Sequence, residues 1–516
     1  MAFIQSDIPQ AVWIDLPAGV EYDLLNHLKE KHPESKVAIR LIKSLYGLKQ
    51  SPALWNAKVD KFMEQHGFER CTSDSCLYKS VSSEGWTLAS VSVDDILITG
   101  SDPDAISKLR LALDANFGSC KWHENCSSFL GMDIQYNQLA GTLILSCPGR
   151  INAMFEKYDK LQVINPSSCP YSPSFKKLDD TQEFKMTDLQ AYLRDHFASI
   201  VGTIIYMSST CRPDITTLCN KACKGMHNPQ HSHLVYLEHL LKYLKGTIHD
   251  GLCYKRKGSV IADVSQQLAD TYVELKRLPE QPVIAFSDAN FAESADVLLR
   301  STSGWAIYVF NCLVSWSSKR QTLTARSTFQ AELISASSTA DEASWFHSLT
   351  SELDHIFYPK TEVIPPIAVL IDNVNALNAS NHPTQTPASK HIKLREFRIR
   401  EAIKDGMIRA LWVPTPLNVA DFFTKPMGPS FFLRFKGMLG FNHSVRETDT
   451  LPDESYFSIP YSQTGTLCTW DDQLNRNHWS WYCDSSDIVS DLDSDPDHLS
   501  CAMVSCPIDK FFLESG

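Results

Sequence analysis

The chain has 516 residues, 43% of them hydrophobic and 21% charged. That is enough for about three domains with real cores and excludes a fibrous or wholly disordered protein. The net charge of -12 is unevenly placed: residues 441–516 carry 14 acids and 3 bases, a balance of -11. Residues 1–440 therefore sum to about -1, a near-neutral body on which local basic patches can exist.

There are 15 cysteines, an odd number with no paired C-x-x-C spacing, as expected of reduced thiols in a cytoplasmic or nuclear protein. The opening MAFIQSDIPQ has no basic segment and no long apolar core, and no run reaches the ~18 apolar residues of a membrane span. Cys219, Cys223, His227 and His231 recur every four residues. Asn228-Pro229 should end a helix there, so buried thiols on one helix face fit better than zinc ligands.

In chain order, residues 41–55 read LIKSLYGLKQSPALW, with Lys43 and Lys49 beside Tyr46, Gly47 and Gln50. Such a mixture can touch a phosphate and stack on a base; a solvated face over a buried tyrosine reads the same. A helix over 53–66 and an alternating strand ending at Tyr78 follow. Residues 86–100, WTLASVSVDDILITG, read as two strands joined by a tight Asp94-Asp95 turn. The adjacent acids are either plain turn residues or a pair that a divalent cation would relieve. Residues 147–173 give a helix and a Pro/Ser-rich link, and 186–250 are mostly helical. Residues 255–278 show no strong periodicity and read as a linker.

An apolar run over 282–286 then delivers Asp288 at the end of a buried strand. Strands over 304–310 and 313–316, a helix over 326–349 with Ser327 as its cap and Glu332 in its second turn, and a strand over 367–372 ending in Asp372 come next. A basic helix over 390–404, a strand over 407–414 and a short helix over 418–423 carrying Asp421 complete the pattern. The acids are 44, 40 and 49 residues apart, room for the connecting elements without a long structureless loop. Any one of them alone is ordinary. Four converging on one sheet can hold two Mg²⁺ or Mn²⁺ for attack of water on a phosphodiester.

SLYGLKQSPALW, SVDDILITG, FLGMDI, VGTIIYMSSTCRPDI and YLKGT resemble, in order and distance, the reverse transcriptase of copia-type LTR retrotransposons. SDANFAESADVLLRSTSGW, SWSSKRQTLTARSTFQAEL, LIDNVNAL, SKHIKLREFRIRE and VPTPLNVADFFTKPM resemble the RNase H domain of the same elements. The resemblance runs from about residue 2 to 427. It implies a mixed α/β, multidomain chain: a partial polymerase palm over 1–145, a helical thumb and connection over 146–254, and a linker over 255–280. An RNase H-like domain over 281–428, with a mixed sheet and flanking helices, and an acidic, disordered tail over 429–516 complete it.

The resemblance also implies roles. Asp94 and Asp95 match the family's polymerase aspartate pair, although its preceding tyrosine is Ser92 here. The family's first polymerase aspartate precedes the Ala-Phe that matches Ala2-Phe3, so the palm is expected to lack it and to be a poor polymerase. The RNase H acids map onto Asp288, Glu332, Asp372 and Asp421, and a frequent second acid beside the helix glutamate is Gln330. Tyr46, Gly47, Lys49, Gln50, Lys390, Lys393 and Arg395 are candidate nucleic-acid contacts. Two Mg²⁺ or Mn²⁺ per site, an RNA–DNA hybrid and template-primer as partners, and dNTPs only for a completed polymerase are the implied ligands. An inactive relic or a binding remnant without catalysis is the alternative.

Overall fold

The computed structural model describes residues 3–15, 38–118, 120–124, 126–178, 180, 184–256, 259–292, 299–359, 363–382, 397–442 and 500–505. These form a mixed α/β structure with four sheets among the described residues.

A ribbon of β1 (Asp7–Asp15) and β2 (Ala38–Lys43) opens the chain. A larger sheet runs β3 (Glu69–Arg70), β4 (Leu77–Ser82), β5 (Gly85–Ser92) and β6 (Asp95–Gly100), then continues through residues 500–505 to β7 (Lys121–His123). Two helices cover it, α1 (Ser51–Gln65) and α2 (Pro103–Phe117). Each buries one stripe: Trp55, Val59, Phe62 and Met63 on α1, and Ile106, Leu109, Leu113 and Phe117 on α2. They pack on Tyr78, Ala89, Ile96 and Ile98, which alternate inward along the strands. Asp102 starts α2 by accepting from Ala105 N at 2.9 Å, just ahead of Pro103.

The next sheet joins β8 (Ser128–Phe129), β9 (Met132–Asn137), β10 (Thr142–Ser146), β11 (Gly251–Lys255) and β17 (Phe441–Asn442). Beside it lie α3 (Pro148–Lys157), α4 (Asp188–Thr210), α5 (Thr216–Cys223) and α6 (His231–Gly246). The motif residues Arg212 and Asp214 form an ion pair at 2.8 Å with both side chains fully buried. Tyr243 donates to Asp214 at 2.6 Å and Arg212 donates to the Thr247 carbonyl at 3.0 Å. The two motifs CRPD and YLKGT thus meet in one satisfied polar network, the condition under which buried charges are tolerated.

Two expectations need correction. Residues 260–271, read as linker, form α7 (Val260–Thr271), capped by Ser259, with Ile261, Val264 and Leu268 buried. Residues at the start of the expected disordered tail form α12 (Pro429–Met438), which buries Phe432, Phe435 and Met438. Both helices contribute to the same hydrophobic core as α3 to α6, and that supplies the burial energy that keeps them folded. Residues 443–499, which include the Asp/Ser run, lie outside the described residues, as do 506–516.

The last sheet has the order β14-β13-β12-β15-β16, formed by β12 (Val283–Asn290), β13 (Thr302–Val309), β14 (Cys312–Arg320), β15 (Ile367–Ile371) and β16 (Ile408–Trp412). The first three strands are an antiparallel meander, while β15 lies parallel to both β12 and β16. Both faces are covered. Val283, Ala285, Val369 and Ile371 pack with α8 (Thr328–Glu352), and Ile284, Phe286, Ala368 and Leu370 join the core of the helical region. This explains why β12 and β15 read as unbroken apolar runs rather than alternating ones. Shorter helices α9 (Asp354–Phe357), α10 (Val374–Asn381) and α11 (Arg398–Lys404) flank this sheet.

The end of α8 also docks on the first large sheet. The Glu352 carboxylate accepts from Thr72 N at 2.6 Å and Ser73 N at 2.7 Å, and Trp345 donates to the Ser73 carbonyl at 2.8 Å.

Candidate active site

Asp288 sits on the central strand β12 and is 1% exposed. It continues the Ile284 and Phe286 side of the strand, and opposite it in register is Gly304 on β13. A Cβ at Gly304 would lie 2.7 Å from Thr424 Cγ2 and 2.9 Å from Phe423 Cβ. The missing side chain lets the turn that carries Asp421 press against the sheet. The short helix expected there is a 3₁₀ turn, Val419–Phe423, and Asn418 caps it. Asn418 also donates to the Ser287 carbonyl at 2.9 Å, fixing the turn to the end of β12.

Glu332 projects from the first turns of α8, whose cap is Ser327, accepting from Gln330 N at 3.2 Å. Ser335, one turn on, donates to the Asp288 carbonyl at 2.6 Å and so ties helix to strand beside the acids. Asp372 follows directly on the last residue of β15, and Trp412 donates to its carbonyl at 3.1 Å. Three elements thereby bring one carboxylate oxygen each from Asp288, Glu332 and Asp372 within 4.8 Å of one another.

Asp421 stands beside this trio rather than inside it. Its Oδ1 is 2.7 Å from Lys425 Nζ, which lies 3.5 Å from Asp288 Oδ2. The Thr424 hydroxyl donates to the same Asp288 oxygen. Neither Thr424 nor Lys425 was singled out from the sequence. The signal was present, because a lysine four residues after an acid is a standard pairing distance on a helical turn.

The electrostatics follow from burial and crowding. Burial, then the Asp421 charge, pushes the Asp288 carboxyl up to about 7. Burial, then Asp288 and Asp372, pushes Glu332 up to about 10. Asp372 is raised by burial and by Asp288. Glu332 Oε2 is buried with no hydrogen-bond partner among the described residues. An unpaired buried carboxylate oxygen is costly, and an added cation removes the cost. All the donors are hard oxygens, the set suited to Mg²⁺ or Mn²⁺, so the residues fit such an ion.

The other acidic pair is arranged differently. The residues at the hairpin tip are Val93 and Asp94, one residue earlier than the expected turn, and Asp95 already opens β6. Val93 has φ 52, a left-handed conformation unusual for a β-branched residue, and its carbonyl accepts from Trp55 Nε1 at 2.7 Å. Tyr46 donates its hydroxyl to Asp94 Oδ1 at 2.7 Å. Asp95 is raised by burial and then by Asp94. Gly47, at φ 93, gives the turn that swings Tyr46 towards the hairpin, while Lys49 is exposed and Gln50 half-buried.

Lys390, His391, Lys393 and Arg395 lie outside the described residues. The neighbouring Arg398 is paired with Asp341 at 3.1 Å, and Arg400 donates to the Ala379 carbonyl at 2.7 Å. Both are engaged within the protein, which leaves them less available for phosphate contact. The Cys219 and Cys223 sulfurs lie 4.0 Å apart on α5, while the His231 and Phe184 ring centroids are 3.9 Å apart with the rings tilted by 36°. No described helix is long and apolar enough to cross a membrane.

Residues 1–173 match the family model described as reverse transcriptase (RNA-dependent DNA polymerase). The chain is 30% identical over 440 residues to the retrovirus-related Pol polyprotein from transposon RE1 of Arabidopsis thaliana, covering 85% of this chain and 27% of that protein. It is 27% identical over 440 residues to the corresponding polyprotein from transposon TNT 1-94 of Nicotiana tabacum, covering 85% of this chain and 30% of the relative. A solved N-terminal RNase H domain of rv2228c from Mycobacterium tuberculosis, fused to maltose binding protein, matches 28% of this chain and 89% of that one. Its identity is 15% and its TM-score 0.20. The family match places residues 1–173 in the reverse transcriptase class of nucleic-acid proteins. More narrowly, the chain belongs to the copia-type retrotransposon Pol polyprotein family. It spans less than a third of the length of these two relatives.

Proposed function

We propose that the chain hydrolyses the RNA strand of RNA–DNA hybrids at the cluster of Asp288, Glu332, Asp372 and Asp421. The observation that carries this reading is the convergence of three carboxylates from three separate elements within 4.8 Å, with one buried oxygen unpartnered. Asp288, Glu332 and Asp372 would hold the divalent cation, Mg²⁺ or Mn²⁺. When bound, such ions supply Lewis acidity towards a phosphodiester and activate water for in-line attack.

The chain's own residues supply position. Ser335 and Asn418 fix the backbone at Asp288 and Ser287, so the first carboxylate cannot drift along the strand. Thr424 donates to one oxygen of Asp288 and Lys425 lies 3.5 Å from it, so together they orient that carboxylate. A hybrid would be read through its A-like shape, sugar hydroxyls and phosphates rather than its sequence. We assign residues 281–428 to this activity. Asp94 and Asp95 are assigned to the palm of an RNA-directed DNA polymerase, with Tyr46 as the group that orients Asp94.

The test is cleavage of a labelled RNA–DNA hybrid by the full chain and by its Asp288→Asn form, with Mg²⁺ or Mn²⁺. Metal-dependent cutting of the RNA strand that disappears in the variant supports the reading. Equal cutting by both forms, or none by either, contradicts it.

A further inference from the structure

This inference rests on the reading above and concerns how many ions the cluster takes. Lys425 follows the 3₁₀ turn closely: its backbone N donates to the Asp421 carbonyl at 3.2 Å, and so does that of Thr424. The side chain is therefore held over the acids by a short, capped segment. Its Nζ bridges Asp421 Oδ1 at 2.7 Å and Asp288 Oδ2 at 3.5 Å. Asp288 Oδ2 also accepts from Thr424, so this oxygen already has a hydroxyl donor and a nearby cation.

The cluster is thus divided. On the Asp421 side the chain provides its own positive charge. On the other side Glu332, 5% exposed, carries an unpartnered Oε2, and one of its carboxylate oxygens lies within 4.8 Å of oxygens of Asp288 and Asp372. Four carboxylates in a family quartet would take two divalent ions, with Asp288 shared between them. Here the place between Asp288 and Asp421 is filled by an ammonium, a compact point charge suited to it.

We infer that Lys425 is a built-in cation that replaces one of the two ions, so that the cluster takes up a single divalent ion on Asp288, Glu332 and Asp372. Asp421 then serves to hold Lys425 and is not a metal ligand.

Calorimetric titration of the full chain with Mn²⁺ tests this. The number of ions at the cluster is the number lost on Asp288→Asn, so that binding elsewhere cancels. The expected count is one for the unaltered chain, one for Lys425→Arg, and two for Lys425→Met, which keeps the side chain's bulk and removes its charge. Asp421→Asn, which decides the matter should Lys425→Met not fold, is expected to keep a count of one. Two ions in the unaltered chain, or a count that falls by one in Asp421→Asn, would overturn the inference and leave the proposed hydrolysis standing. An unaltered chain that loses no ion on Asp288→Asn would overturn the metal-binding reading itself.

Discussion

Asp94 at the tip of a hairpin and Asp95 at the start of its second strand are both half-buried, and the Asp94 carboxylate takes the Tyr46 hydroxyl. Asp288, Glu332 and Asp372 instead reach one point from a strand, a helix and a strand end, under cover of two packed layers. Adjacent acids in a turn need only local backbone geometry and water. Acids gathered from positions 288, 332 and 372 need a whole domain to hold them, against their own repulsion and desolvation. The second arrangement has no structural benefit that an apolar core would not supply better, which makes it the stronger indication of a ligand.

The widest gap between the two sites is expected in hydrolysis. Asp288→Asn should lower hybrid cutting by about a thousandfold or more. Asp94→Asn with Asp95→Asn should leave it within about twofold, since the two sites are built on different sheets. Comparable losses from both variants, in a gel assay of the cut strand, would erase the distinction. Next in size is Gly304→Ala. The added methyl meets Thr424 and Phe423 at 2.7 and 2.9 Å, so chemical denaturation should show a loss of about 2 kcal/mol. A neutral result would mean that the Asp421 turn is not pressed on the sheet.

A smaller effect of opposite sign is expected from Glu332→Gln in the metal-free chain. Asp288 is pushed up to about 7 and Glu332 to about 10. Raised carboxyls contribute stability that is complete below the ordinary carboxyl range and is lost as pH rises through those values. Neutral glutamine should therefore raise metal-free stability above pH 7 by about 1 kcal/mol, a common balance between function and stability. Asp94→Asn should change it by no more than about 0.5 kcal/mol. Thermal melts at several pH values in chelator decide between them.

The smallest expected effect lies at the joint between the two regions. Burial raises the Glu352 carboxyl, but hydrogen bonds from Ser73 and Thr72 outweigh it and hold the group below 4.5. A lowered carboxyl stabilises above its ordinary value and ceases to do so as pH falls through the folded one. Amide exchange at Thr72 and Ser73 should lose protection in that acid window, and Glu352→Gln should reproduce part of the loss at neutral pH.

Most of the sheet beneath the cluster was legible because its signals are local. The apolar run of β12 with Asp288 near its end, the Ser327 cap, and the run of β15 followed by Asp372 are each contained within a few residues. What escaped depended on partners distant in sequence. Helix α7 carries Ile261, Val264 and Leu268 at helical spacing behind a Ser259 cap, a pattern that was present but short. Helix α12 was obscured by the acidic composition of the residues after it, although Phe432, Phe435 and Met438 form a stripe. The Lys425 contact with Asp421 could be read from spacing. Its reach to Asp288, across 137 positions, could not.

Anomalous diffraction from crystals of the full chain soaked in Mn²⁺ tests the central claim most directly. The account predicts an ion among the carboxylates of Asp288, Glu332 and Asp372. Crystals that bind Mn²⁺ at Asp94 and Asp95 while leaving those three carboxylates without an ion would contradict it.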